Sequence, residues 1–167
     1  DGVRARLELA ADCEITLETN PGTAEFDRFE GYLAAGVNRL SFGVQSFDDR
    51  KLARLGRIHG SDEARRAYRL ARAAGVDNIN LDLMYGLPGQ SVAEAVADMR
   101  AALELAPEHL SHYQLTLEPQ TVFARTPPAG LPDDDALVEM LDACQRLLGA
   151  AGFEHYEVSA YARPGRR

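Results

Sequence analysis

Asn78-Ile79-Asn80-Leu81-Asp82-Leu83-Met84-Tyr85-Gly86-Leu87-Pro88-Gly89 is the stretch that decides the fold. Its first residues alternate: Ile79, Leu81 and Leu83 share one parity, and Asn78, Asn80 and Asp82 share the other. Neighbouring side chains of a strand face opposite sides, so Asn78–Met84 reads as a strand with one apolar and one polar face. Gly86-Leu87-Pro88-Gly89 then ends it with turn chemistry. Just beyond, Ser91-x-x-Glu94 is a capping box that opens a helical pattern over Val92–Leu105. Upstream, a helical pattern over Asp62–Ala74 closes with Ala73-Ala74-Gly75-Val76, where glycine suits the left-handed position that ends a helix.

The same unit recurs outward. Ala34-Ala35-Gly36-Val37 and Ala150-Ala151-Gly152-Phe153 repeat that ending, and a strand candidate follows each time. The other candidates are strands at Glu14–Glu18, Arg39–Gln45, Leu110–Glu118 and Tyr156–Tyr161, with helices at Ala24–Ala35 and Asp133–Ala150. Strands alternating with helices predict an α/β fold, with a parallel sheet built by right-handed crossovers. Pro127-Pro128 and Gly130-Leu131-Pro132 mark one longer loop. No interdomain linker interrupts the chain, so residues 1–167 read as a single domain.

Parity adds a second inference. The first strand sets Ile15 and Leu17 against Glu14, Thr16 and Glu18. The second sets Leu40, Phe42 and Val44 against Arg39, Ser41, Gly43 and Gln45. The fourth sets Tyr113, Leu115 and Leu117 against His112, Gln114, Thr116 and Glu118. Crossover helices can cover the apolar faces. The polar faces would line a lumen, and a polar lumen must be wet or hold a polar ligand, because buried polar groups without partners are costly. An antiparallel sheet with one solvated face alternates in the same way, although helices rarely separate its strands.

Composition sets the outer bounds. The chain has 167 residues and a net charge of −8, with acidic and basic residues interleaved. That is not the basic stripe of a nucleic-acid binder. No apolar run is long enough to span a bilayer, and no signal-peptide pattern opens the chain. Cys13 and Cys144 show neither metal spacing nor a disulfide framework, which fits a reducing, cytoplasmic setting. Lys51 is the only lysine, and the excess of arginine is read as base composition.

Four polar residues stand at or near the C-terminal ends of strands, where parallel α/β proteins place their sites: Glu18, Gln45, Asp82 and Glu118. Converging carboxylates there can act as acid and base or accept hydrogen bonds from a sugar. For any one of them alone, a hydrogen bond to a nearby turn is the plainer reading. Asn20-Pro21-Gly22 and Gly86–Gly89 are turns that also let a ligand approach the backbone. Arg57 can clamp a carboxylate in bidentate fashion. His59 reads as a loop histidine, and Cys144, with Leu137, Leu141 and Leu148 at helical spacing, as core.

Six strings in order carry a resemblance over nearly the whole chain. They are Glu14–Gly22, Gly43-Val44-Gln45-Ser46-Phe47, Leu55-Gly56-Arg57-Ile58-His59, Asn80–Gly89, Tyr113–Pro119 and Tyr156–Ala162. Together they resemble the HemW family of radical S-adenosylmethionine (SAM) heme chaperones, which is related to oxygen-independent coproporphyrinogen dehydrogenase. The resemblance implies a partial (β/α) barrel lacking its first strands, with helices on the outer face. It implies SAM, a [4Fe–4S] cluster and heme as cofactors, and heme or porphyrin and heme-accepting proteins as partners. By the same resemblance, Glu18, Gln45, Arg57 and Asp82 would hold SAM, with Met84 and Thr116 beside its adenine. The family's Cys-x3-Cys-x2-Cys cluster loop is missing from this sequence, so the cluster ligands would lie outside it. The first strand would then be a free edge through which the chain self-associates. Two alternatives stay open: a coproporphyrinogen dehydrogenase that removes propionate hydrogen by radical chemistry, and a metal-free barrel enzyme using Glu18 and Asp82 as acid and base.

Overall fold

A computed structural model of the chain describes residues 2, 3, 5–22 and 28–167. Among these, the strands are β1 (Thr16–Thr19), β2 (Arg39–Gln45), β3 (Ile79–Tyr85), β4 (His109–Gln114), β5 (Glu154–Glu157) and β6 (Ala160–Ala162). The helices are α1 (Phe29–Ala34), α2 (Asp49–Arg54), α3 (Ser61–Ala73), α4 (Val92–Glu104), α5 (Val122–Arg125) and α6 (Asp134–Ala150). The start of the helix expected at Ala24–Ala35 lies outside the described residues. No described helix is long and apolar enough to cross a membrane.

One six-stranded sheet has the order β1-β2-β3-β4-β6-β5. β1 to β4 are mutually parallel. The last two strands are not: β6 runs antiparallel to β4, and β5 antiparallel to β6. The single strand expected at Tyr156–Tyr161 is therefore a hairpin, reversed by a turn at Val158 and Ser159. Ser159 sits in that turn and gives its carbonyl to the His112 amide at 2.8 Å.

The repeated glycine endings work as the sequence predicts. Gly36, Gly75 and Gly152 have φ of 96°, 96° and 80°. Each left-handed residue lets the next amide reach back over the last turn: Val37 to Tyr32, Val76 to Ala71 and Phe153 to Leu148, at 3.0, 3.1 and 3.0 Å. The capping box also forms, with Ser91 N–H donating to Glu94 at 2.8 Å and Glu94 N–H to Ser91 Oγ at 3.3 Å.

The core lies between the sheet and the helices. Leu40, Phe42, Val44, Ile79, Leu81, Leu83 and Leu110 are each at most 1% exposed. Burying each such side chain is worth roughly 1.5–3 kcal/mol. Opposite them stand small residues, Ala64, Ala67 and Ala71 on α3 and Ala95 and Ala102 on α4, whose short side chains let the helices sit close to the sheet. Cys144 is buried on α6, as its helical spacing suggested.

The phase of the fourth strand corrects the sequence reading. In register, Asp82 lies opposite Ser111, Leu83 opposite His112 and Met84 opposite Tyr113. Partners across a parallel pair share a face, so His109, Ser111 and Tyr113 belong to the polar face. His112 belongs to the core, packed on Tyr85 with ring centroids 4.7 Å apart. The sequence reading phased this strand on Leu115 and Leu117, but β4 ends at Gln114 and both lie beyond it.

Two expectations follow from this packing. His112 Nδ1 has no hydrogen-bond partner among the described residues, and burial pushes the ring's pKa down from 6.5 to about 4. Between those values the unfolded chain binds a proton that the folded chain refuses, so the histidine costs stability as pH falls from 6.5 towards 4. His109, with burial as the main cause, behaves likewise, whereas Asp82 and Asp98, raised by burial, oppose it. Substituting His112→Phe isolates one contribution. Urea denaturation should show the variant gaining on the wild type by about 3 kcal/mol between pH 7.5 and 4. A constant difference across that range would contradict the assignment.

The second expectation concerns β1, whose one strand partner among the described residues is β2. Glu18 on this strand is exposed. An open strand edge is a template for another chain. Sedimentation at several concentrations should show this chain associating further as its concentration rises. A chain that stays monomeric throughout would mean that this edge is protected.

Candidate functional site

At the C-terminal ends of the parallel strands lies a cleft of about 370 Å³, lined by Glu18, Thr19, Asn20, Ser41, Gly43, Gln45, Asp82 and Tyr113. Three of the expected residues, Glu18, Gln45 and Asp82, thus meet in one place. A larger hollow of about 450 Å³ beside Leu7, Cys13, Ile15 and Asn38 opens at the other end of the strands. It gathers no comparable set of converging polar groups.

Gln45 reaches the cleft through a backbone irregularity. The register between β2 and β3 jumps from Phe42–Leu81 to Gln45–Leu83, so β2 carries one extra residue. Gln45 itself has φ of 68°. Its Oε1 accepts from the Tyr113 hydroxyl at 2.8 Å. A Cβ added at Gly43 would lie 2.9 Å from Asn20 Oδ1 and 3.0 Å from Gln45 Nε2. Glycine at this position is what lets those two side chains converge. Asn20 also links Arg57 to the rim, accepting from its guanidinium at 3.5 Å.

Asp82 is the best supported carboxylate. Asn80 Nδ2 donates to one oxygen at 2.7 Å, and Ser41 Oγ donates to the other at 3.3 Å. Burial pushes its pKa up and the charge of Glu18 adds to that, while hydrogen bonds from Asn80, Ser111 and Ser41 pull it down. Asn80 in turn accepts from Ser111 Oγ at 3.2 Å and pairs with His109 Nδ1 at 2.6 Å. A donor is required at that nitrogen, because the facing atom is the Asn80 oxygen. His109 Nε2 is then the acceptor for the Tyr156 hydroxyl. A chain of polar contacts therefore runs along the inner face from Tyr156 to Asp82.

The other expected residues fall elsewhere. Met84 is half-buried on the same face, one step beyond Asp82 and opposite Tyr113. Thr116 is exposed past the end of β4 and lines a neighbouring hollow of about 290 Å³ with Gly86, Leu115, Leu117 and Leu137. Glu118 is also exposed beyond the strand, and accepts from Thr116 Oγ1 at 3.1 Å. His59 is buried, with Nε2 3.2 Å from the Val44 carbonyl oxygen, in a supporting place.

Sequence reading missed Tyr113 and Ser111, because the fourth strand was out of phase. The signal was Leu110, whose parity conflicts with Leu115 and Leu117. It also missed α2 and with it Lys51. That residue is 6% exposed, and its Nζ donates to the Gly89 carbonyl at 2.6 Å. Arg54, one turn on, donates to the Pro88 carbonyl at 2.8 Å. Lys51 and Arg54, two of the three cations of α2, thus hold the Gly86–Gly89 loop after β3.

Residues 1–102 match the radical SAM superfamily. The heme chaperone HemW of Escherichia coli (strain K12) is 62% identical over 165 residues, covering 99% of this chain and 43% of that protein. HemW of Haemophilus influenzae is 52% identical, covering 98% and 42%. Coproporphyrinogen III oxidase (HemN) from Escherichia coli, a radical SAM enzyme of known structure, superposes with a TM-score of 0.87 at 29% identity, covering 98% of this chain and 38% of that one. The chain thus spans less than half the length of the relatives it matches.

Proposed function

The chain belongs to the radical SAM superfamily, and from that premise we propose that it forms the SAM-holding wall of a heme chaperone of the HemW type. The observation that carries this reading is the meeting of Glu18, Gln45 and Asp82 in one cleft at the C-terminal strand ends.

The donor set suits SAM. Two carboxylates, Glu18 and Asp82, face a common space, and a sulfonium cation would relieve their mutual repulsion. The carboxylate of Glu18 and the amide of Gln45 can pair with a ribose diol. Arg57, held at the rim by Asn20, offers a planar fork to the methionine carboxylate. The cleft's size falls within the range of small-molecule sites. Adenine would extend along the ends of β3 and β4 towards Met84 and Thr116.

A [4Fe–4S] cluster, when bound, supplies the redox chemistry directed at SAM. Its ligands are proposed to come from the part of the parent that this chain does not span. Here Cys144 is buried in the core, and Cys13 lies before β1 at the opposite end of the strands from the cleft. This chain's own contribution is to bind and orient SAM and to keep Asp82 in a fixed polar setting. Heme binding, delivery to heme-accepting proteins and a cytoplasmic place are parts of the same proposal. The higher identity to HemW than to the coproporphyrinogen oxidase, 62% against 29%, favours the chaperone over the dehydrogenase.

The test is SAM affinity in the full-length protein with its cluster, measured anaerobically by calorimetry. Gln45→Ala and Asp82→Asn should each weaken binding about tenfold or more, the loss expected for a hydrogen bond to a polar ligand. Thr121→Ala, at the α5 cap, should leave it unchanged. Unchanged affinity in both cleft variants would remove SAM from this cleft and return the acid–base reading of Glu18 and Asp82.

A further inference from the structure

Asp98 lies on α4, outside the cleft, and is 6% exposed. Its two carboxylate oxygens face the chain just after Gln45. Oδ2 accepts from Ser46 Oγ at 2.7 Å, and Oδ1 accepts from Phe47 N–H at 2.7 Å. Ser46 is fully buried, and its Oγ accepts from Asp48 N–H at 3.0 Å. Asp48 in turn caps α2 by accepting from Arg50 N–H at 2.8 Å. One buried carboxylate therefore fixes the end of β2 and the start of α2 together.

Gln45 between these anchors needs such a hold. Ser46 N–H donates to the Val44 carbonyl at 2.9 Å, closing a three-residue turn around Gln45 with its φ of 68°. A turn of that hand is sparsely populated and persists only where the surroundings impose it. On its N-terminal side, the Val44 carbonyl is also met by His59 Nε2. On its C-terminal side, Ser46 and Phe47 are both held by Asp98. Both flanks of the turn are pinned from the outer face of the sheet, and the turn aims the Gln45 side chain into the cleft against Tyr113.

We infer that Asp98 is a positioning residue for the SAM cleft, acting through Gln45. This rests on the SAM reading above. Ion pairing does not account for the contact: among the described residues the two oxygens accept from a hydroxyl and a backbone amide, and from no cation. Burial raises the pKa of Asp98, whereas the two hydrogen bonds favour the charged form. A carboxylate kept in so costly a place is explained by what it holds.

The experiment is a double-mutant cycle on SAM dissociation, in the full-length protein with its cluster. It is read together with hydrogen exchange of peptides spanning residues 45–49. Asp98→Asn should weaken SAM about tenfold and speed exchange at Phe47 and Asp48. It should add nothing in the Gln45→Ala background. Ser46→Ala removes one of the two bonds without touching α4, and should give a smaller loss of the same kind if Asp98→Asn folds poorly. Additive losses in the cycle would overturn the inference, as would faster exchange with SAM affinity within twofold of the wild type. If Gln45→Ala leaves affinity unchanged, this inference falls; the SAM reading of the cleft falls with it only if Asp82→Asn leaves affinity unchanged as well. A loss in Gln45→Ala without one in Asp98→Asn and Ser46→Ala overturns the role of Asp98 alone.

Discussion

The buried amide of Asn80 is the contact on which the inner face depends. It is 2% exposed and uses both ends of its side chain. The nitrogen donates to Ser41 on β2 and Asp82 on β3, and the oxygen takes His109 and Ser111 on β4. Three parallel strands are thus joined through one polar group. A polar sheet face is costly unless its donors and acceptors pair, and partly paired networks are the most costly of all. Asn80 pairs them and so lets Asp82 stand in a half-buried setting without an ion-pair partner among the described residues.

Everything that shapes the cleft is built around that face. The apolar side of the same strands takes α3, α4 and α6 and provides the stability. The bulge in β2 then departs from regular pairing at one place, and that departure brings Gln45 to Tyr113. The loops after β1 and β3 are supported separately. Asn20 is met by Arg57, while Gly89 and Pro88 are gripped by Lys51 and Arg54 from α2. The cleft therefore has a floor hydrogen-bonded across three strands and a rim held by cations that approach from the neighbouring crossover.

Much of this was legible in the sequence, for a physical reason. Period-two alternation in β2 and β3 reports which face is apolar and packs on the helices, so Asp82 could be assigned to the polar face from Ile79, Leu81 and Leu83 alone. The glycine endings report a backbone requirement and were equally clear. β4 was misread because it stops at Gln114, while the alternation of Leu115 and Leu117 continues in the opposite phase. The hairpin of β5 and β6 was misread as one strand, because Val158-Ser159 carries neither glycine nor proline to announce a turn. Lys51 was passed over because its importance lies in tertiary contacts with a loop far along the chain, and no local pattern encodes them. Asp98 was hidden for the same reason, inside an ordinary amphipathic helix.

We propose that the polar face of this sheet holds SAM where Glu18, Gln45 and Asp82 meet. A crystal structure of the full-length protein with SAM bound tests it most directly. Ribose oxygens should lie within hydrogen-bonding distance of Glu18 and Gln45, and the methionine carboxylate on Arg57. SAM bound away from all three strand ends, for instance wholly within the hollow between Gly86 and Leu137, would contradict it.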